Sequence, residues 1–143
     1  MGSQIMGESY PKIVYGSSTT VTLEYSRILH DEPDYDMLNY QSEINGDRNI
    51  YIRGYHWLFE VLVYLTRHAN PKTKWDAIFA AYNQEVDLYR YSDNPVCKDS
   101  SGNTVKFHFI ECVPLYLEDS CRLDACRCKF ISTKFIDISK SID

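Results

Sequence analysis

The chain has 143 residues, enough for one domain with a buried core, and its 44% hydrophobic and 24% charged residues exclude a disordered or membrane-embedded protein. The net charge of -5, with no run of Lys and Arg, disfavours nucleic-acid binding. Because no basic-then-apolar leader accompanies the five cysteines, we expect reduced thiols in a cytoplasmic setting.

The first sixteen residues predict a flexible N-terminal arm, since Gly, Ser and Pro interrupt them and one apolar cluster, Ile13-Val14-Tyr15, stands near their end. We expect residues 17–143 to form a single β-sandwich-like domain, because no linker, repeat or low-complexity segment divides them. Residues 21–25 alternate as a first strand. The acidic, proline-containing segment 29–37 predicts an exposed loop.

A weak strand is expected over residues 38–44, and the Asn45-Gly46 pair that follows is a strong hairpin signal. Residues 50–67 then alternate in twos, which predicts a long half-buried strand, with a buried helix as the weaker alternative. Such a run exceeds the usual strand length of about 5–6 residues, so we expect a bend at Gly54. The expected apolar face of this strand consists of Tyr55, Trp57, Phe59, Val61, Val63 and Leu65.

A short helix is predicted over residues 71–83. Asn70 can cap free backbone amides, and Pro71 suits the first helical position. The spacing of Trp75, Ile78, Phe79 and Tyr82 makes one apolar stripe, which we expect to pack on the sheet.

Strand-like runs resume after the helix. They cover residues 86–91, 105–117 and 126–138, with a loop over 92–104 and a polar connection over 118–125. Pro114 inside the second run indicates an edge position, a bulge or a break. The sequence therefore predicts a mainly β protein, an antiparallel β-sandwich or open barrel with one packed α-helix at about residues 71–83.

Candidate chemistry is sparse. Cys121, Cys126 and Cys128 have the spacing C-x4-C-x-C, but no second close pair completes a zinc site, so ordinary thiols are the favoured interpretation and the three remain weak metal candidates. His56 and Glu60 lie roughly 13 Å apart along an extended strand, too far for a direct acid–base pair. No catalytic signature appears, and we expect neither enzyme activity nor a cofactor.

The segment 29–37 also carries clustered carboxylates. Asp34-x-Asp36, preceded by Asp31 and Glu32, offers oxygen ligands of the kind that hard cations prefer. The glycine and the distal glutamate of a calcium-hand loop are missing. A solvated acidic loop, or one that docks on a basic neighbour, is therefore the favoured interpretation.

The block WLFEVLVYLTRHANPKTKWDAIFAAYNQEVDLYRYSDNP resembles tail structural proteins of long-tailed bacteriophages, of the tail-tube, distal-tail and tail-completion type. The resemblance covers about residues 50–95 and rests on a long alternating strand, a short helix with an aromatic stripe, and a following strand. It implies a β-sandwich with a helix in a structural virion protein of the tail or neck, without catalytic residues.

The resemblance also implies partners and a location. The expected partners are copies of the chain in a homo-oligomeric ring and other tail or neck proteins, with DNA passing through a lumen that the acidic loop faces. Neither specific nucleic-acid binding nor a membrane is expected, and the location is the virion, assembled in the host cytoplasm. The candidate contact residues are Ile13, Tyr15, Asp34, Tyr35, Asp36, Tyr89 and Tyr91.

Two alternatives from other classes stay open. One is a small cytoplasmic ligand- or protein-binding β module, with a cleft between sheet and helix near Trp57, Trp75 and Tyr89. The other is a Cys/His metal-binding domain.

Overall fold

A computed structural model describes residues 10–41, 48–91, 93–118 and 121–142, with side chains described over 10–35, 53–91, 93–118 and 121–137. A 3-10 turn, Leu65–Arg67, and one helix, α1 (Pro71–Ala81), stand between the fourth and fifth strands. The strands of the described chain are β1 (Lys12–Tyr15), β2 (Thr19–Thr22), β3 (Ser26–Gln41), β4 (Arg48–Val63), β5 (Glu85–Tyr91), β6 (Asn94–Pro95), β7 (Phe107–Tyr116), β8 (Leu123–Ser132) and β9 (Ile136–Ile142).

The strands form one antiparallel sheet in the order β2-β1-β5-β7-β8-β4-β3. The short β6 pairs with β5, and β9 pairs with β4. The sheet is not closed into a barrel. The predicted mainly β, antiparallel architecture with one helix is confirmed.

The predicted hairpin between the third and fourth strands is confirmed by the pairing of Gln41 with Arg48, whereas Asn45-Gly46 lies outside the described residues. The predicted loop over residues 29–37 is wrong, because this segment is the middle of β3. Pro33 is tolerated there because β3 ends the sheet and needs no second ladder of hydrogen bonds. The predicted acidic loop facing a lumen is therefore also wrong, because this segment is a strand and not a loop.

The alternation in β4 places its inward side chains as predicted. Phe59, Val61 and Val63 are fully buried, while Tyr55 and Trp57 pack partly buried against the core. Each large side chain of this kind contributes roughly 1.5–3 kcal/mol on burial. Other large buried side chains of the core come from β1, β5, β7, β8, α1, the 3-10 turn and the residue after β2: Ile13, Leu88, Phe107, Phe109, Phe130, Ile78, Leu65 and Leu23.

The expected bend at Gly54 coincides with an irregularity in the sheet. The registers of β4 with β3 and with β9 both shift between Ile52 and Gly54. A Cβ at position 54 would lie 2.2 Å from the Ile136 carbonyl oxygen and 2.7 Å from the Phe135 ring. Glycine is therefore required here by the close approach of β9.

The helix begins as predicted, with the Asn70 side chain accepting a hydrogen bond from the Thr73 amide at 3.3 Å. It ends two residues earlier than predicted, where Asn83 adopts a left-handed conformation at φ 67° and its amide donates to the Phe109 carbonyl. Ile78 is fully buried, but Phe79 is 49% exposed, so the aromatic stripe is only partly covered by the sheet.

The strands near the two ends of the chain differ from the predicted ones. Lys12–Tyr15, the end of the predicted arm, forms β1, and residues 1–9 lie outside the described chain. The predicted last strand over 126–138 is divided at residues 133–135 into β8 and β9, which pair with successive parts of β4. Pro114 lies in a part of β7 that pairs with β8 alone, so of the predicted edge position, bulge or break the structure has the edge position.

Candidate assembly surface

An ion pair between Arg90 and Asp31 joins β3 to β5, two strands that are not neighbours in the sheet. The Arg90 guanidinium donates through Nε and Nη2 to the two carboxylate oxygens of Asp31, the latter bond at 2.7 Å. The Trp57 indole Nε1 also donates to Asp31, at 2.7 Å, and the guanidinium lies 5.8 Å from the centre of the Trp57 ring. We call these three residues the clasp. Both carboxylate oxygens of Asp31 are therefore hydrogen-bonded within the protein, although the sequence predicts an exposed acidic loop at this residue.

A row of aromatic rings leads from the clasp to the open edge of β3. The Trp57 and Tyr55 rings are 6.1 Å apart, and the Tyr55 and Tyr35 rings are 5.6 Å apart in a T-shaped contact. Tyr35 is 45% exposed. Burial, together with the negative charges that Cys97 and Tyr35 would carry, raises the pKa of Tyr55, so its hydroxyl remains a neutral hydrogen-bonding group.

The opposite face of the same strands carries charges that neutralise one another. Glu60 lies 3.1 Å from Arg127 and 3.6 Å from His30, and Glu111 lies 3.4 Å from Arg127 and 3.8 Å from Lys129. Arg127 Nε is within ion-pair distance of Glu60 but is not aligned for a hydrogen bond. This network spans β3, β4, β8 and β7 and makes a polar face.

His56 and Glu60 take separate partners. The His56 Nδ1 atom lies 3.0 Å from the Ser132 carbonyl oxygen, and its ring packs on Phe135. Since Glu60 is engaged by Arg127 and His30, the two side chains do not act as an acid–base pair.

The structure separates the predicted contact residues into two groups. Asp34, Tyr35 and Asp36 all lie on β3, where Asp34 and Tyr35 are exposed, and the side chain of Asp36 is outside the described set. Tyr91 is 49% exposed at the end of β5.

The second group lies where β1 pairs with β5. Ile13 is fully buried there, so it is a core residue. Tyr15 and Tyr89 are half-buried, and the Lys12 ammonium lies 5.1 Å from the centre of the Tyr89 ring. Ile13 therefore offers no surface to a partner, whereas Tyr15 and Tyr89 offer part of their side chains.

The predicted cysteine trio is not brought together. Cys126 and Cys128 are buried neighbours on β8, with sulfurs 3.9 Å apart, whereas Cys121 is exposed in the preceding connection. Cys112 of β7 joins the buried pair instead, because it lies directly opposite Cys128. The sequence could not reveal this neighbour without the register of β7 and β8. Within the described residues, no group of three or more His, Cys, Asp or Glu side chains has the arrangement to hold a metal ion.

An open cavity of about 550 Å³ lies between the start of α1 and the β7–β8 connection. Its lining includes Trp75, Tyr116 and Leu123, with Lys72 and Arg122 as charged members. Of the three aromatic residues expected around a ligand cleft, only Trp75 contributes to this cavity. In the described residues, no helix is long and apolar enough to cross a membrane.

Comparisons with known proteins give only distant structural similarity. No family model matches the chain, and no curated protein matches it. The chain is similar to a solved structure of the sheath-tube complex of an extracellular contractile injection system in its extended state, with 9% identity over 98% of this chain and 99% of that chain and a TM-score of 0.41. It is also similar to the tube-terminating cap of the anti-feeding prophage, with 8% identity over 92% and 89% of the two chains and a TM-score of 0.37. At scores this low, the similarity by itself assigns neither a family nor a function.

Proposed function

We propose that this protein is a non-enzymatic structural component of a phage tail or neck, or of a tail-like particle, and that it assembles head to tail with copies of itself through the open edge of β3. The observation that carries the proposal is the 16-residue length of this terminal strand, which has β4 as its neighbour on one side and no strand of the described chain on the other. The sequence resemblance to tail structural proteins agrees with this role.

The edge of β3 is a template for another strand. A terminal strand presents backbone N–H and C=O groups that a second chain can pair with. Pro33 and the register shifts at Ile28/His30 and Asp36/Met37 interrupt the edge, and such features limit indiscriminate pairing. The segment beyond Pro33, with Asp34 and Tyr35 exposed, is therefore the contact we expect.

The side chains at this edge suit a protein partner. Tyr35 offers an exposed aromatic ring whose inner side rests on Tyr55, so its position is fixed before binding. Tyrosine is enriched in protein interfaces because it combines a large apolar ring with a polar end. Asp34 adds a charge on the opposite face of the strand, which favours one register of pairing.

The two ends of the sheet are different, which favours head-to-tail assembly. The far end is β2, Thr19–Thr22, a short strand with exposed threonines. Contact between β3 of one copy and β2 of the next is heterologous, and heterologous contacts generate rings when the rotation closes. Contact between two β3 strands would instead give a two-fold dimer.

Purified particles provide the decisive test. We expect quantitative mass spectrometry to find a fixed, multiple copy number of this chain in tails or tail-like particles from the expressing cells. Cross-linking within those particles should join residues near Tyr35 to residues near Thr20 of another copy. Absence of the chain from intact particles would refute the proposal.

A pair of matched variants tests the edge itself. Tyr35→Lys places a charge at the β3 edge, whereas Phe79→Lys places one at an equally exposed aromatic position on α1. We expect Tyr35→Lys to remove the chain from particles and Phe79→Lys to leave its copy number unchanged, with both variants folded by circular dichroism. The reverse result would assign assembly to the helix and not to β3.

A further inference from the structure

Three cysteines from neighbouring strands form a cluster at the margin of the core. Cys112 of β7 is paired in register with Cys128 of β8, and Cys126 lies two residues before Cys128 on the same strand. The Cys126 and Cys128 sulfurs lie 3.9 Å apart, and the pairing of β7 with β8 places Cys112 on the same face of the sheet as both. Cys126 and Cys128 are fully buried, while Cys112 is only half-buried and therefore accessible to a small reagent.

The register distinguishes the two possible partners of Cys112. Residues directly opposite one another in antiparallel strands have Cα atoms about 4.5–5.5 Å apart, which is inside the range of roughly 4.4–6.8 Å that a disulfide requires. Diagonal neighbours are about 7–8 Å apart, which exceeds this range. Cys128 is directly opposite Cys112 and Cys126 is diagonal, so the backbone is suited to a Cys112–Cys128 bond.

The same contacts give the sulfurs different acidities. Hydrogen bonds donated by the Cys126 and Cys128 thiols lower the pKa of Cys112. The hydrogen bond with Cys112 and the burial of both side chains raise the pKa of Cys126 and of Cys128. Cys112 is the half-buried sulfur of the three, the one that a small reagent can reach, and its lowered pKa favours the thiolate there.

We propose that Cys112 is a peroxide-reactive site and that Cys128 resolves its sulfenic acid, which produces a reversible disulfide between β7 and β8. The Cys112 thiolate attacks one oxygen of hydrogen peroxide, so that an S–O bond forms, the O–O bond breaks, and hydroxide leaves. The Cys128 sulfur then attacks the Cys112 sulfur, and the sulfenic hydroxyl leaves as water with the Cys128 proton. In total, two thiols lose two electrons and two protons to the peroxide, which becomes two waters.

This site stands apart from the assembly surface. The cluster lies on β7 and β8, whereas the proposed contact lies on β3, and no step of the chemistry requires a second copy of the chain. A bond across β7 and β8 restricts the unfolded chain, so we expect the oxidised protein to unfold at higher temperature than the reduced protein.

Tryptic mapping separates the candidate sulfurs. Cleavage after Lys106, Arg122, Arg127 and Lys129 places Cys126 and Cys128 on different peptides, and Cys112 shares its peptide with Cys121 alone. The test uses the full chain with Cys121→Ser, about one equivalent of hydrogen peroxide at about pH 7, and iodoacetamide to block remaining thiols. We expect the peptide 107–122 linked to the peptide 128–129, with the mass of two hydrogen atoms lost, and reversal by dithiothreitol.

Variants assign the roles. Cys112→Ser should abolish the linked peptide, Cys126→Ser should retain it, and Cys128→Ser should accumulate a sulfenic acid at Cys112 that dimedone labels. A link to the Cys126 peptide, preferential oxidation of Cys97, or no oxidation faster than that of free cysteine would overturn the proposal. Because mapping of the parent chain already decides between these outcomes, the test holds even if one serine variant fails to fold.

Discussion

Asp31 and Arg90 are 59 residues apart in the chain, yet the Arg90 guanidinium donates two hydrogen bonds to the Asp31 carboxylate. The pair connects the terminal strand β3 to β5, and three other strands, β7, β8 and β4, lie between them in the sheet order. The hydrogen bond to Asp31 raises the pKa of Arg90 despite partial burial, because the carboxylate stabilises the charged guanidinium. The clasp also fixes Trp57, the inner end of the aromatic row that leads to Tyr35.

Asp31→Asn should lower the free energy of unfolding by about 1.5–3 kcal/mol, the value typical of hydrogen bonds to charged groups. The asparagine leaves the guanidinium of Arg90 half-buried without a counter-charge. Urea denaturation measures the effect, and Asp34→Asn on the same strand, where the side chain is exposed, serves as the control with a change below about 0.5 kcal/mol. Equal effects of the two substitutions would show that the clasp adds no stability.

The sequence predicted elements whose signals are local and missed those that depend on distant partners. β4 and α1 were predictable because the alternation from Tyr55 to Val63 and the Asn70-Pro71 start are complete within each segment. The sequence of β3 predicts a loop and not a strand, because proline and carboxylates usually indicate exposure. Pro33 is accommodated only because the strand is terminal, and Asp31 only because Arg90 neutralises it.

The candidate site residues also divide into those that local sequence indicates and those that depend on distant pairing. Tyr35 and Asp34 are exposed on a strand and not on the expected loop, and their role as contact residues stays a prediction. The burial of Ile13 follows from the pairing of β1 with β5, which no local pattern indicates. The cysteine cluster depends on the pairing of Cys112 with Cys128, and a one-residue change of register would have separated them.

Gly54→Ala should disrupt the pairing of β9 with β4. The added methyl group would lie 2.2 Å from the Ile136 carbonyl oxygen, and neither backbone can move away without breaking the ladder. We expect faster hydrogen exchange at the β9 amides and a lower melting temperature. Gly102→Ala is the matched control, since nothing lies within 4 Å of its added methyl group and only its positive φ is unfavourable, by about 1–2 kcal/mol. Unchanged exchange in β9 for the position-54 variant would contradict the required close approach.

Ile78→Ala and Phe79→Ala should differ although the two residues are adjacent on α1. Ile78 is fully buried, and its truncation should cost about 2–5 kcal/mol through lost burial and a cavity. Phe79 is 49% exposed and stacks on Trp75 and Tyr82 at ring distances of 5.3 and 5.6 Å, so its loss should cost about 0.5–1.5 kcal/mol per aromatic contact at most. Thermal unfolding of both variants measures the contrast. A larger loss for Phe79 would mean that the exposed face of the helix, and not its buried face, holds it on the sheet.

Glu24 and Lys74 should make part of the stability depend on pH. The Lys74 ammonium donates to Glu24 at 2.8 Å and to the Thr22 carbonyl at 3.0 Å. These two hydrogen bonds connect α1 to the end of β2 and to the residues that follow it. Burial alone would raise the pKa of Glu24, but the hydrogen bond from Lys74, a backbone hydrogen bond and the positive charges of Lys74 and His68 outweigh it. The pKa of Glu24 therefore lies below its ordinary value of 4.5.

Because the folded state releases this proton more readily than the unfolded state, the contribution of Glu24 is complete above pH 4.5 and is lost as the pH falls through its folded pKa. Glu24→Gln should thus cost about 0.2–1 kcal/mol near neutral pH, the range for a solvent-accessible ion pair, and progressively less in acid. Urea denaturation of the parent chain and the variant at several pH values between about 6 and 3 measures the difference. Glu85→Gln, at an exposed position on β5, controls for a general change in net charge. If the difference in unfolding free energy between the parent and Glu24→Gln stays constant across this range, the carboxylate charge does not contribute. If that difference grows in acid, the pKa of Glu24 is raised by folding and not lowered.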